Sequence, residues 1–406
     1  MAGSPQLVIL ALDGTWWQSR NIELRLRQAL ANAIGYTVNQ VMTCLSHTHS
    51  GVPLTDELDD VPGGTAAQRW FEELLSACAA CAREALAQTR PAILEWANGR
   101  CSLARQRDQQ EGDTWLVGCN IEQAADETLL VGRITTENGF ILATIVNYAC
   151  HPTTLAWANQ RWSPDWPGAM REIVEAETAA PCLFLQGAGG DLAPAEQYSA
   201  DVTVADRHGR GVGHAVCAAL ASLPCPGMEL AFTSIQPSGA PLAVWSQQPV
   251  VIAEACATTR LDLVLPLRPS LESVAEIDAA LASESDPAMV ERLRRRRRIR
   301  VMVGSGSVGE LSVWCWRLGD TLIVAVPAEA YSAFQQQLRA VFPQFAVVCI
   351  NHGNGGSGYL IPADHYDRPG FYPAWQTPFA AGSFERLYSE TLTAFQHLTV
   401  QEEICI

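Results

Sequence analysis

The chain has 406 residues with 27 Lys and Arg against 43 Asp and Glu, a formal net charge of −16. Most of its surface therefore repels phosphate backbones and anionic lipid headgroups, which argues against nucleic acid as a partner. Its 48% hydrophobic content is enough for a substantial core, yet no stretch reaches the roughly 18 uninterrupted apolar residues of a membrane span. Stable membrane insertion is not expected. With residues 1–5 running straight into a strand-like segment, the expected location is the cytoplasm. Thirteen cysteines are scattered through apolar segments, as Cys150, Cys182, Cys217 and Cys349 show, so reduced, buried thiols are expected rather than a disulfide frame.

Residues 7–12 read as a strand ending at Asp13, and Leu24, Leu26, Leu30 and Ile34 mark one face of the following helix. Residues 38–45 read as a strand leading to Ser46-His47-Thr48-His49-Ser50-Gly51, and 66–88 as a long helix closed by Pro91. That helix carries Cys78-Ala79-Ala80-Cys81 in its interior, where the two thiols serve as small apolar residues rather than a redox pair. Strands are predicted at 93–96, 129–134, 140–148 and 182–186, with helices at 167–177 and 209–223. Residues 224–267 hold several strand candidates and 271–300 read as one helix. The closing part has strands at 309–318, 321–326 and 346–350, a helix after Pro327 and another at 384–398. This alternation predicts an α/β fold, a mixed sheet core with flanking helices. One catalytic domain over 1–406 is expected, with a sub-division near 224–308. The run Arg294-Arg295-Arg296-Arg297-Arg298 follows Glu272, Glu276, Asp278, Glu284 and Asp286, so it reads as a solvated, charge-paired helix end.

The chemistry gathers at strand ends. His47 and His49 stand two apart in what reads as an extended segment, which would place both rings on one face. His151 follows another strand in Asn147-Tyr148-Ala149-Cys150-His151-Pro152, and neutral imidazoles converging from separate strands are usual nitrogen ligands of zinc. Glu329 sits where Val324-Ala325-Val326-Pro327-Ala328-Glu329 runs from a strand into a helix start. Tyr359 lies in the glycine-rich stretch Asn354-Gly355-Gly356-Ser357-Gly358-Tyr359-Leu360-Ile361-Pro362. Trp157, Trp162 and Trp166 are close to His151 in sequence, though large apolar residues beside strands are more often core than pocket.

Taken in order, His-Thr-His-Ser-Gly, His-Pro-Thr, Gly-Gly-Asp-x-x-Pro, Pro-x-Glu and Gly-Tyr-x-x-Pro resemble the neutral/alkaline ceramidase family, over residues 7–372. The resemblance implies a ceramidase-like catalytic fold and one zinc ion held by His47, His151, Glu329 and Tyr359. In that family a zinc-bound water attacks the amide carbon of an N-acyl sphingoid base. It further implies that His49 handles protons or binds substrate, and that an arginine of Ala104-Arg105-Gln106-Arg107, Arg107 before Arg105, points into the site. Asp165 and Asp191 would order the ligands through hydrogen bonds, as metal-bound histidines usually require.

The pattern is broken at two site positions. Ala193 stands where ceramidases carry a substrate-contacting serine, and the second family tyrosine falls on Phe371, with Tyr372 one place on. Family members also have an additional β-rich start and ceramidases a C-terminal immunoglobulin-like domain, neither of which fits this chain. The resulting expectation is a zinc-dependent amidase acting on a small N-acyl compound other than ceramide, with self-association left open. Ester or lactone hydrolysis, acyl transfer, or a non-catalytic ligand-binding relative are the competing readings.

Overall fold

The structure, a computed structural model, describes residues 6–58 and 63–400; the reading of residues 1–5 lies outside them. In chain order the first part holds β1 (Val8–Leu12), α1 (Arg20–Ile34), β2 (Val41–Leu45), α2 (Gly64–Ala87), β3 (Ile93–Arg100), β4 (Ala104–Gln106), β5 (Asp108–Glu111), β6 (Thr114–Val117), β7 (Thr128–Thr135) and β8 (Ile141–Tyr148). Next come α3 (Trp166–Thr178), β9 (Cys182–Gln186), β10 (Leu192–Pro194), α4 (Val202–Ala221), β11 (Met228–Pro237), β12 (Pro241–Pro249), β13 (Cys256–Pro266), α5 (Val274–Ser283) and α6 (Pro287–Val303). The last part has β14 (Val308–Leu318), β15 (Thr321–Val326), β16 (Glu329–Ala330), α7 (Ser332–Val341), β17 (Ala346–Asn351), β18 (Tyr359–Leu360), α8 (Tyr372–Gln376) and α9 (Ser383–Val400).

Two four-stranded mixed sheets dominate. One runs β3-β7-β8-β9 and the other β13-β14-β15-β17. Only β8 with β9 and β15 with β17 pair in parallel within them, and β1 pairs with β2 in parallel beside them. Alternation along these strands explains the layering, because successive side chains leave opposite faces. Met42 and Cys44 of β2, Leu185 of β9, Trp314 and Trp316 of β14, Ile323 and Ala325 of β15, and Val348 and Ile350 of β17 meet in one buried cluster. The residues between them face outward onto helices. Val146 and Phe184 pack with Met170 of α3 and Val212 of α4, while Leu322, Val324 and Cys349 pack with Phe334 of α7 and Phe395 of α9. α1 and α2 cover β2 through Leu26, Leu30 and Phe71. Strands buried on both faces are what near-continuous apolar runs such as Thr321–Val326 require. The fold is α/β with helices flanking mixed sheets, as the alternation predicts.

Several elements differ from expectation for identifiable reasons. The single helix over 271–300 is two. Pro287, which lacks a backbone donor, opens α6, and Asp286 caps it by accepting from the Ala288 amide at 3.2 Å. α4 starts earlier than 209 because the Asp201 carboxylate caps it at Thr203 N, 2.9 Å. The short strands between 104 and 117 have no apolar alternation to reveal them. The arginine run does pair with acidic groups, Arg296 with Glu272 at 2.7 Å and Arg297 with Asp278 at 2.6 Å, but it is no merely solvated end. Arg296 is buried and lies 4.4 Å from the Trp375 ring centroid. Cys78 and Cys81 lie within α2, and both are free. No helix among the described residues is long and apolar enough to cross a membrane.

Candidate metal centre

The parallel pairs β1/β2, β8/β9 and β15/β17 deliver their C-terminal ends to one place, and backbone bonds stitch the loops beyond them. His49 N donates to Pro152 O at 3.2 Å, His151 N to Leu192 O at 2.9 Å, Glu329 N to Gly358 O at 2.8 Å and Asn354 N to Thr43 O at 3.0 Å. Strand carboxyl ends gathered in this way are the usual site of chemistry in α/β folds. Here they gather His47, His49, His151, Glu329, His352 and Tyr359.

Glu329 is the hub. Its Oε2 lies 3.2 Å from His151 Nε2 and 3.6 Å from His47 Nε2, and its Oε1 lies 3.9 Å from His352 Nε2. The ligand atoms of His47, Glu329 and His352 all fall within 4.8 Å of one another, as do those of His47, His49 and His151. The outer partners orient two of the rings. His47 Nδ1 faces Thr15 O at 2.5 Å and His151 Nδ1 faces Leu192 O at 3.0 Å; a carbonyl only accepts, so each Nδ1 carries a proton and each Nε2 is turned toward the cluster, His151 Nε2 hydrogen-bonding Glu329 Oε2 at 3.2 Å.

Burial and the neighbouring imidazoles hold His49 well below its ordinary value, and burial with the Arg107 charge lowers His151 to about 3. Both are neutral at physiological pH. Burial alone would raise Glu329, but the surrounding imidazoles outweigh it and hold the carboxyl well below the usual range. His47 Nε2, His49 Nε2 and both ring nitrogens of His352 are buried without a hydrogen-bond partner. Unmet buried nitrogens cost about 1–3 kcal/mol each. A divalent ion satisfies such nitrogens, and imidazole with carboxylate is a suitable donor set for zinc, so these residues fit a metal.

Arg107 is the arginine that faces the cluster. Its Nη2 donates to Gly190 O at 2.6 Å and to the Tyr359 hydroxyl at 2.9 Å. Burial opposes its charge, but Tyr359 and Glu329 overcome that and raise its pKa. Gly190 must lack a side chain here, since a Cβ would stand 2.9 Å from the Tyr331 ring and 3.1 Å from Glu329 O and Ala330 O. Arg105 instead turns toward Glu127 at 3.6 Å and lines a surface cleft of about 840 Å³ that contains none of the cluster residues. Tyr359 is set beside Glu329 by the parallel register of β18 with β16. The Tyr372 ring lies 6.0 Å from the Tyr359 ring, and its hydroxyl accepts from Gln376 Nε2 at 3.3 Å and Arg295 Nη1 at 3.5 Å. Phe371 turns to Trp115 at 5.7 Å.

Three expectations need correction. The rings of His47 and His49 do not share a strand face. β2 ends at Leu45 and His47 takes φ +67°, so a left-handed turn brings the ring centroids to 5.0 Å. Asp191 and Asp165 do not hold the histidines. Asp191 accepts from Ser332 N and Oγ at 2.7 Å and from Gln106 Nε2 at 3.0 Å, which fixes α7 against β4. Asp165 accepts from Trp166 N at 2.6 Å and Leu155 N at 2.7 Å, capping α3. Backbone carbonyls orient His47 and His151 in their place. Trp166 is core, whereas Trp157 and Trp162 are exposed and Trp157 stacks on Tyr198. Ala193 is fully buried on β10, opposite Arg105. The sequence reading passed over His352, although it follows a strand directly, as Asn351-His352, closer to its strand end than His151, which comes three residues after β8.

No protein-family model matches the chain, and no curated protein matches it in sequence. Solved ceramidase structures match its fold. The neutral ceramidase from Pseudomonas aeruginosa aligns over 96% of this chain and 66% of its own length, with a TM-score of 0.65 and 15% identity. A ceramidase complexed with C2 aligns over 98% of this chain and 68% of its own, with a TM-score of 0.64 and 15% identity. This chain thus spans about two thirds of the length of the ceramidases it matches, and at that identity the likeness is one of fold.

Proposed function

We propose that the protein is a zinc-dependent hydrolase that cleaves the amide bond of an N-acyl small molecule other than ceramide. The observation that carries this reading is the convergence of buried imidazole nitrogens, those of His47, His49 and His352 without hydrogen-bond partners, on one buried carboxylate at the strand ends of a ceramidase-like fold. His47, His151 and Glu329 hold the ion, and Tyr359 is the phenol that the family pattern adds to them. Bound zinc supplies Lewis acidity toward a carbonyl and toward water.

The chain's own residues provide the rest. His49 keeps a free Nε2 beside His47, so it can take a proton and pass it to a departing amine. Arg107 holds a permanent charge against Tyr359, where it stabilises negative charge developing on a substrate oxygen. Ala193 offers no hydroxyl. A missing polar contact of that kind is worth about 1–3 kcal/mol to a substrate that needs it, which favours an acyl amide lacking ceramide's polar pattern.

The test is hydrolysis of a matched amide and ester bearing one acyl group, before and after removal of the metal by a chelator. Amide cleavage that disappears on chelation and returns with zinc is the expected result. Cleavage of the ester alone, or amide cleavage that survives chelation, overturns the reading.

A further inference from the structure

His352 is the residue of the cluster that neither the motif resemblance nor a structural role explains. It follows β17 with a ring only 1% exposed, and its backbone takes φ +56°, a left-handed conformation that costs a non-glycine residue about 1–2 kcal/mol. Its main chain donates to Ala328 O at 3.3 Å, yet neither ring nitrogen has a hydrogen-bond partner. A neutral imidazole carries one N–H and one lone pair, and leaving both unmet in a dry interior costs about 1–3 kcal/mol for each. A packing role does not call for that expense, since Leu or Phe fills such a space without polar atoms.

The orientation supplies an explanation for Nε2. The ring lies 4.2 Å from the His47 ring at 31° between planes, with Nε2 turned to Glu329 Oε1 at 3.9 Å. The distances from Glu329 to His151, His47 and His352 are 3.2, 3.6 and 3.9 Å. Ligand atoms about 2.0–2.1 Å from a tetrahedral ion stand roughly 3.3 Å apart; His151 and His47 are near that spacing from Oε2 and His352 is within about 0.6 Å of it from Oε1, and the ligand atoms of His47, Glu329 and His352 lie within 4.8 Å of one another. The Tyr359 hydroxyl, by contrast, accepts from Arg107 at 2.9 Å and hydrogen-bonds the Glu329 carboxylate, so it already has partners where the His352 ring nitrogens have none.

We infer that His352 is a metal ligand of this centre, so that three imidazoles, His47, His151 and His352, together with the Glu329 carboxylate hold the ion, and Tyr359 remains with Arg107. This rests on the metal reading above and changes one member of its ligand set. It also gives this chain a donor set that differs from the two-histidine pattern its motifs resemble.

Zinc K-edge X-ray absorption of the zinc-loaded wild type counts the imidazoles directly, and chelator competition gives zinc affinity for wild type, His352→Ala, His352→Gln and Tyr359→Phe. Far-UV circular dichroism and thermal unfolding of the zinc-free proteins report whether each variant folds. Three imidazoles are expected in wild type and in Tyr359→Phe, whose zinc Kd stays within about 3-fold of wild type. His352→Ala and His352→Gln should show two imidazoles and bind at least about 100-fold more weakly, beyond the 10- to 100-fold typical of lost outer partners. Two imidazoles in wild type, or full zinc affinity in His352→Ala with the loss falling on Tyr359→Phe, overturns the assignment while leaving the hydrolase reading in place. A wild type that binds no zinc removes both. If the His352 variants do not fold, the wild-type imidazole count and the Tyr359→Phe affinity decide the matter.

Discussion

Asn354 ties the loop carrying His352 to the strand carrying His47, and its removal has a calculable cost. Its Oδ1 accepts from Thr43 N at 2.7 Å and Thr43 Oγ1 at 3.0 Å, and its Nδ2 donates to Val41 O at 3.2 Å. The side chain thereby completes the open edge of β2 as a neighbouring strand would. Three buried hydrogen bonds at about 1 kcal/mol each, with their partners left unmet, give about 3 kcal/mol. Asn354 also takes φ +56°, where alanine costs about 1 kcal/mol more than asparagine or glycine. Asn354→Ala is therefore expected to lose about 4 kcal/mol and Asn354→Gly about 3 kcal/mol. Urea unfolding monitored by tryptophan fluorescence, with the slope m compared across variants, measures both. A loss under about 1 kcal/mol in Asn354→Ala, or a glycine variant less stable than the alanine one, would refute this reasoning.

Three further substitutions test the packing and the electrostatics around the site. At Gly209 of α4 a Cβ would stand 2.3 Å from Trp166 O and 2.6 Å from Ala169 Cβ, whereas at Gly211 it would meet nothing within 4 Å. Gly209→Ala should cost about 1–3 kcal/mol by forcing α3 and α4 apart, while Gly211→Ala should gain about 0.5–1 kcal/mol from helix propensity; equal effects in thermal unfolding would contradict the close approach of the two helices. Burial and the adjacent Asp191 push Asp108 up to about 7, against about 4 in an unfolded chain. A raised folded value favours the protonated native form, so this stabilisation is full below pH 4 and is lost as the pH rises through 7. At about 1.4 kcal/mol per unit the loss is roughly 2–4 kcal/mol. Relative to wild type, Asp108→Asn should gain that amount between pH 4 and pH 8 in urea unfolding, and parallel pH profiles would contradict it.

What was legible in the sequence followed from strand ends. Val41–Leu45, Ile141–Tyr148 and Thr321–Val326 are largely apolar runs, and His47, His151 and Glu329 stand two or three residues beyond their ends. Arg107 could be preferred over Arg105 only by resemblance; burial against Gly190 and Tyr359 now separates the two. Other features depended on contacts distant in sequence. Which acceptor orients a histidine depends on backbone carbonyls such as Thr15 O, 32 residues from His47, and no side-chain pattern encodes that. Asp165 and Asp191 are acidic residues in the right motifs, yet their oxygens are taken by amide groups of α3 and α7. His352 was findable by the same rule as His151, a histidine just beyond a buried strand.

Metal content tests the central claim most directly. Protein purified without added metal is measured by mass spectrometry as wild type and as the His47→Ala, His151→Ala double variant, each checked for folding by circular dichroism. About one zinc per chain in wild type, absent from the double variant, is the expected result. A folded wild type that neither carries zinc nor takes it up on titration would contradict a metal centre at Glu329.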